Sequence, residues 1–262
     1  MRLGVTLPQF REDPEPALAA ARRAEAVGLD GVFVFDHLWP LHQPDRPALH
    51  SLTLLGALTA ETERVTLGSF VARVSVLPDA VLVHTLLSLH RMAEGRFIAG
   101  LGTGDRFNKD ENVAFGLAYP PAAERARQLV DCCRRLRAAG VRTLVGGQSA
   151  AVRRIAAQDA DAWNGWGLSL ERFAALAGDL RDQSSTVEVT WGGQVLIGRT
   201  DTHAMDKLER HGPRPNLVHG TVEQVRTHLQ ALADAGATWA ICSPLDVGHD
   251  DGAIDLVAAA RP

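Results

Sequence analysis

Short apolar runs alternate with helical patterns along almost the whole chain, and this alternation most narrows what the sequence can fold into. Residues 3–7 (LGVTL) read as a strand. Asp13 then supplies an N-cap and Pro14 a first helical position, with Ala17, Ala21 and Ala24 at helical spacing and Gly28 closing the helix. The same alternation continues through strands at 31–35, 65–71, 97–101, 141–145, 160–163 and 239–242. Helices are expected at 51–62, 79–92, 122–139, 150–159, 169–181, 222–235 and 254–260, with Thr221 and Gln224 as a capping box. The runs 187–191 and 195–197 offer one further strand, which Gly192 and Gly193 interrupt. The acidic run 201–209 and the His/Pro-rich stretch 211–219 read as solvated surface.

Each crossover is long enough to lay its strand parallel to the one before. The strands are continuous apolar runs, as a sheet covered on both faces requires. Eight strand–helix units therefore predict an α/β fold, a (β/α)8 TIM barrel, with an open doubly wound sheet as the alternative. With no linker or low-complexity tract, residues 1–262 are expected to form one domain.

Composition excludes several classes. Lys plus Arg number 27 against 31 Asp plus Glu, a net charge of −4, and there is no long basic run, which argues against nucleic acid. No run of apolar residues is long enough for a membrane span, and the start lacks a signal-peptide core, so a cytoplasmic protein is expected. Cys132, Cys133 and Cys242 read as small buried hydrophobes and make no disulfide framework.

In a barrel, chemistry sits where strands end at the C-terminal face. Here those ends are polar and rich in glycine, although the strands are apolar. Asp36-His37 is the best candidate for proton transfer; a locally satisfied histidine is the bland alternative. His42 and His50 follow in the same loop, but their spacing fits no metal-ligand pattern and no metal is expected. Gly100, Gly102, Thr103 and Gly104 mimic a dinucleotide fingerprint with the wrong spacing. Gly146, Gly147, Gln148 and Ser149, just before a helix, form a better phosphate cradle or else an ordinary tight turn, with Asn164 and Gly165 beside them. Trp39, Trp163, Trp166 and Trp191 lie near strand ends as aromatic walls or core. The segment 39–50, with three prolines, reads as a lid or substrate loop.

Four stretches carry a family resemblance: 24–38 (AEAVGLDGVFVFDHL), 65–105, 144–167 and 220–238. In their order and spacing the chain resembles the luciferase-like monooxygenase superfamily, barrel enzymes that use flavin or deazaflavin. The resemblance implies that Asp36 and His37 match the Asp-His of the branch using coenzyme F420, where the histidine lies against the ring. It implies a cis peptide at Phe70-Val71 behind that ring. Asp105 matches an acidic residue near the reactive centre, and Asn108 a phosphate-side residue. Gly146, Gly147 and Gly165 match glycines around the cofactor phosphate; with Gly102, Thr103, Gly104, Gln148 and Asn164 they complete the expected cofactor site.

The sequence departs from the pattern twice. The long insertion common before the fifth strand is missing, since the helix ending at Gly140 runs straight into 141–145. Phe35 stands where the deazaflavin branch usually has a small polar residue. The expected function is hydride transfer between coenzyme F420 and a small organic substrate. An FMN-dependent monooxygenase using O2 is the alternative, and a cofactor-binding protein without turnover the second. A homodimer through helices 52–62 and 79–92 is implied by the same resemblance.

Overall fold

The structure, a computed structural model, describes residues 1–249 and 252–262. Among these, eight parallel strands close on themselves: Arg2–Thr6 (β1), Gly31–Val34 (β2), Thr66–Ser69 (β3), Phe97–Gly102 (β5), Arg142–Gly146 (β6), Ala162–Trp166 (β7), Glu188–Gly198 (β8) and Ala237–Pro244 (β10). Two short strands complete the sheet. Ala72–Arg73 (β4) resumes β3 beyond its end and pairs with β5, and Val218–Thr221 (β9) pairs with the upper half of β8. The closing contact is β10 against both β1 and β8, Ala240 pairing with Leu3 on one side and Trp191 on the other. The chain is thus a closed (β/α)8 TIM barrel, not an open sheet.

Ten helices are described: Glu15–Ala26 (α1), Ser51–Glu61 (α2), Asp79–Met92 (α3), Asn108–Ala114 (α4), Ala122–Ala138 (α5), Ala150–Asp159 (α6), Leu170–Gln183 (α7), Asp201–His211 (α8), Val222–Asp234 (α9) and Ala253–Ala259 (α10). None is long and apolar enough to cross a membrane. Ser169 caps α7, and Thr221 with Gln224 forms the expected capping box of α9. At α1 the cap position falls on Pro14 instead of Asp13, whose Oδ1 accepts from the Glu15 amide at 3.0 Å one residue before it.

Two cores result. Between strands and helices lies a continuous aliphatic layer that includes Leu3, Val5, Val32, Leu55, Leu86, Leu129 and Val257. Cys132, Cys133 and Cys242 are buried free thiols in the same layer, as expected. Inside the barrel sit Phe33, Phe70, Ile98, Leu144, Ala162, Trp239 and Ile241. The large rings there need bare backbone opposite them: a Cβ on Gly68 would lie 2.5 Å from Phe33, and one on Gly4 would lie 2.7 Å from it.

Four departures from the sequence expectation bear on the mouth. First, β8 is one continuous eleven-residue strand, because Gly192 and Gly193 are places where rings lie against the backbone. A Cβ on Gly192 would meet Phe70 at 2.6 Å and Trp166 at 2.9 Å; one on Gly193 would meet Trp191 at 2.3 Å. Second, the acidic run at 201–209 is not merely solvated surface but helix α8. Thr200 caps it, and its buried Lys207 donates to the Ile197 carbonyl at 2.9 Å and pairs with Asp246. Third, the stretch 211–219 contributes to β9. Fourth, a short helix, α4, stands directly after β5.

Candidate active site

Strand β2 delivers Phe35, Asp36 and His37 to the mouth. Asp36 is buried with both oxygens engaged: Oδ1 accepts from Ser51 Oγ and Oδ2 from the Arg73 amide, each at 2.7 Å. Ser51 opens α2 and Arg73 ends β4, so Asp36 ties three elements together at the rim. Phe35 is fixed by Gln9, whose amide group donates to the Phe35 carbonyl at 2.7 Å and accepts from its N–H at 2.6 Å.

The centre of the site is Glu111 on α4, only 1% exposed. Its Oε2 accepts from Arg73 Nη1 at 3.0 Å and Asn108 Nδ2 at 3.3 Å, and lies 3.3 Å from His37 Nδ1. Its Oε1 accepts from the Leu38 amide. Burial pushes this carboxyl up, but the hydrogen bond from His37, the Arg73 charge and the Leu38 N–H outweigh it and hold it below the usual range. A carboxylate at Nδ1 calls for N–H on that nitrogen. In neutral His37 the lone pair then sits on Nε2, the nitrogen that can accept a proton. The ring is one-fifth exposed, so it is reachable.

Glu111 was not among the sequence candidates. It sits in KDEN, just beyond the candidates at the end of β5, and a seven-residue helix gives little periodicity to detect. Only its spacing gives it away: Phe107, Glu111 and Phe115 are four residues apart and share one face. That face meets the segment after β2. Phe107 contacts His42 with ring centroids 5.4 Å apart, Glu111 meets His37, and Phe115 contacts Trp39 at 5.6 Å.

The expected residues around β5 turn out to build this helix. The Thr103 carbonyl accepts from Arg125 Nε at 2.8 Å. Asp105 is exposed, and its Oδ1 accepts from the Phe107 amide at 2.9 Å, at the start of α4. Gly104 has a positive φ of 66°, and Asn108 Oδ1 accepts from the Asp105 amide at 2.8 Å. Buried Asn108 thus links this turn to Glu111.

The peptide Phe70-Val71 is cis. It ends β3 inside the run expected at 65–71, and β4 begins just beyond that run. Val71 lies over the neighbouring strands, and a Cβ on Gly102 would sit 2.6 Å from it, one on Gly146 3.0 Å, and one on Gly100 3.2 Å. Gly102 and Gly146 therefore owe their missing side chains to Val71. Phe70 turns the other way, into an aromatic floor. It meets Trp166 edge-on at 5.4 Å and Phe35 at 6.0 Å; Phe35 also meets Trp166 at 5.4 Å and stacks on Phe10 at 6.3 Å.

The ends of β6 and β7 lie side by side, with Gly146 opposite Asn164. Gly147 has φ 144°, and its carbonyl accepts from Trp163 Nε1 at 2.7 Å. Gln148 donates to the Trp166 carbonyl at 2.8 Å, and Ser149 caps α6. Asn164 is buried and donates to Thr190 Oγ1 at 2.9 Å, while Gly165 accommodates Leu168 and Trp163. Of the four tryptophans near strand ends, Trp163 and Trp191 belong to the buried core; Trp39 and Trp166 border the mouth.

A family model described as luciferase-like monooxygenase matches residues 1–214. The chain belongs to the luciferase-like monooxygenase family. Within it, the chain is 34% identical over 132 residues to an F420-dependent glucose-6-phosphate dehydrogenase of Microbacterium testaceum, a match covering 50% of this chain and 38% of that enzyme. The matched stretch is thus well under half the relative's length. Among solved structures, the fold resembles an F420-dependent secondary alcohol dehydrogenase in complex with an F420-acetone adduct, with TM-score 0.82 and 16% identity over 100% of this chain and 99% of that one. It also resembles a coenzyme F420-dependent tetrahydromethanopterin reductase from Methanopyrus kandleri, with TM-score 0.79 and 14% identity over 99% and 98%. At such identities these two structures speak for the family's barrel alone.

Proposed function

We propose that the protein is a coenzyme F420-dependent oxidoreductase that moves a hydride to or from a small organic substrate. The observation that carries this is His37, held at Nδ1 by buried Glu111 above an aromatic floor, with Nε2 left for a substrate proton. The F420-dependent relatives support the choice of cofactor.

The residues present fit a flat anionic cofactor. Phe35, Phe70 and Trp166 offer ring surface, and Gly147 offers backbone in a conformation that admits close approach. The first N–H groups of α6 have no intrahelical partner, which suits a phosphate. Arg73 Nη2 is buried without a hydrogen-bond partner, a donor available to an acceptor at the mouth. On this reading Gly147, Gln148, Asn164 and Gly165 flank the phosphate end, and Val71 with Phe70 backs the ring.

When bound, F420 supplies the hydride acceptor or donor. The chain's own residues handle the proton. As a carbinol C–H leaves with its electron pair, His37 Nε2 takes the O–H proton and the substrate becomes a carbonyl compound; reduction runs the same path backwards. Glu111 keeps the imidazole oriented and stabilises it once protonated. Asp36 and Arg73 hold the rim in place. Asp105, exposed at the head of α4, is a second proton-transfer candidate within the same reading.

Pairing of two copies through α2 and α3 belongs to this proposal. Val81 and Met92 on α3 are about half exposed, and such a pairing would cover them. Light scattering tests it, and a monomeric mass would remove it.

The deciding experiment is titration of the protein with F420 and, in parallel, FMN, followed by cofactor fluorescence. Tight binding of F420 alone supports hydride transfer. Preference for FMN would move the protein to the oxygen-using monooxygenases, and binding of neither would overturn the reading.

A further inference from the structure

One sector of the mouth is not used by the proposed cofactor site. His37 follows β2, the cis peptide follows β3, and the glycine turns end β6 and β7. Strands β8, β10 and β1 complete the ring, and side chains alternate along each of them. On β8, position 192 faces inward, since a Cβ there would meet Phe70 and Trp166. Gln194, two residues on, faces the same way. On β10 the inward Trp239 and Ile241 are followed by Ser243, and on β1 inward Gly4 is followed by Thr6.

These three polar side chains form one row. Gln194 pairs in register with Ser243, and Thr6 Oγ1 donates to Ser243 Oγ at 2.9 Å. The Ser243 proton has no acceptor among the described residues, and the Gln194 carboxamide has no hydrogen-bond partner among them. Among the described residues 189–198 of β8, Gln194 alone is not buried. Its amide therefore opens into the mouth, between the aromatic floor at Gly192 and α8, which packs on Gly198.

The row offers two donors, Ser243 O–H and Gln194 Nε2, one acceptor, Gln194 Oε1, and no charge. The cations of this sector are placed elsewhere: Arg11 lies against Gly248 in the loop beyond β10, and Lys207 is paired with Asp246. An anionic group would set its charge against Gln194 Oε1. An amide edge, with C=O beside N–H, answers the acceptor and the donors together.

Resting on the F420-dependent reading above, we propose that Gln194 and Ser243, with Thr6 behind Ser243, form the substrate's recognition subsite. It takes an uncharged carboxamide or lactam group remote from the reacting carbon.

The test uses the whole chain loaded with F420, after the cofactor titration has been completed on wild type and variants alike. Three aryl ketones that differ only in the para group are titrated by calorimetry: 4-acetylbenzamide, 4-acetylbenzoate and 4′-ethylacetophenone. The amide is expected to bind at least about tenfold tighter than the other two. Gln194→Leu should remove that preference and keep the F420 affinity of wild type. Ser243→Ala should lose a smaller part of it, and serves as the second variant should Gln194→Leu fold poorly. Tighter binding of the benzoate, equal binding of all three or binding of none would overturn the proposal. So would a Gln194→Leu variant that keeps the preference, or one whose F420 affinity falls, since the row would then hold the cofactor. Failure of F420 to bind wild type would overturn the functional reading, and this proposal with it, before any ketone is added.

Discussion

Glu111 Oε2 and His37 Nδ1 lie 3.3 Å apart although 74 residues separate them in the chain. One is supplied by a short helix after β5 and the other by the end of β2. The barrel brings both to one mouth, where the carboxylate sets which imidazole nitrogen is free to take a proton.

Removing that nitrogen tests its role. His37→Ala should lower turnover by roughly 10²–10⁴-fold, the usual share of general acid–base catalysis. Cofactor affinity, read by fluorescence, should change little. Unchanged turnover would take His37 out of the mechanism.

Glu111 carries a pH signature. Its carboxyl is held below its ordinary value in the folded chain, so the unfolded chain binds the extra proton first on acidification. The carboxylate thus adds stability above the ordinary carboxylate range and loses it as pH falls through the depressed folded value. Glu111→Gln should melt well below wild type near neutral pH, with a gap that closes as pH falls through the depressed folded value. A gap that stays constant with pH would refute the assignment. The stronger change, Glu111→Ala, should cost about 3–5 kcal/mol at neutral pH because it removes the nearer of the two carboxylates that pair buried Arg73, leaving Asp36 at 3.8 Å.

The aromatic floor can be disturbed from behind. Gly192→Ala places a methyl 2.6 Å from Phe70 and 2.9 Å from Trp166. Overpacking of this kind costs about 1–3 kcal/mol. Thermal melting should show the loss, and the F420 titration should show weaker binding, because the displaced rings line the mouth. Wild-type behaviour in both would mean that the rings have room to yield.

The three cysteines should be silent. Burial pushes the thiols of Cys132 and Cys242 up to about 12 and raises that of Cys133 as well. The thiolate is the reactive form. Ellman's reagent at pH 8 should therefore label no thiol in the native protein and all three in denaturant. Rapid native labelling would contradict the packing around α5 or β10.

What was legible in the sequence follows from what repeats. Strand–helix alternation, proline and glycine boundaries and the caps at Ser169 and Thr221 are local signals, and they give the barrel with its element order. Asp36-His37 and the late-strand glycines were visible because polar residues follow apolar runs. Glu111, Arg73 and Ser51 were not singled out, because their importance is a matter of what they meet in space. Gly192 and Gly193 were misread as a break, since a glycine pressed against a ring looks, in sequence, like a glycine in a turn. Helix α8 reads as surface because only Ala204 and Lys207 are buried along it.

Val71 lies against three glycines from two neighbouring strands, Gly100 and Gly102 on β5 and Gly146 on β6. A Cβ on Gly100 would first meet the Ser69 carbonyl, at 2.0 Å, but Val71, Gly102 and Gly146 form a single exchangeable unit. A side chain introduced at 102 or 146 has to evict the valine before it can affect any ligand. A loss of cofactor binding in such a variant would report displacement of Val71, and shortening position 71 in the same chain should rescue it. The glycine-rich look of this rim is in part the imprint of one valine.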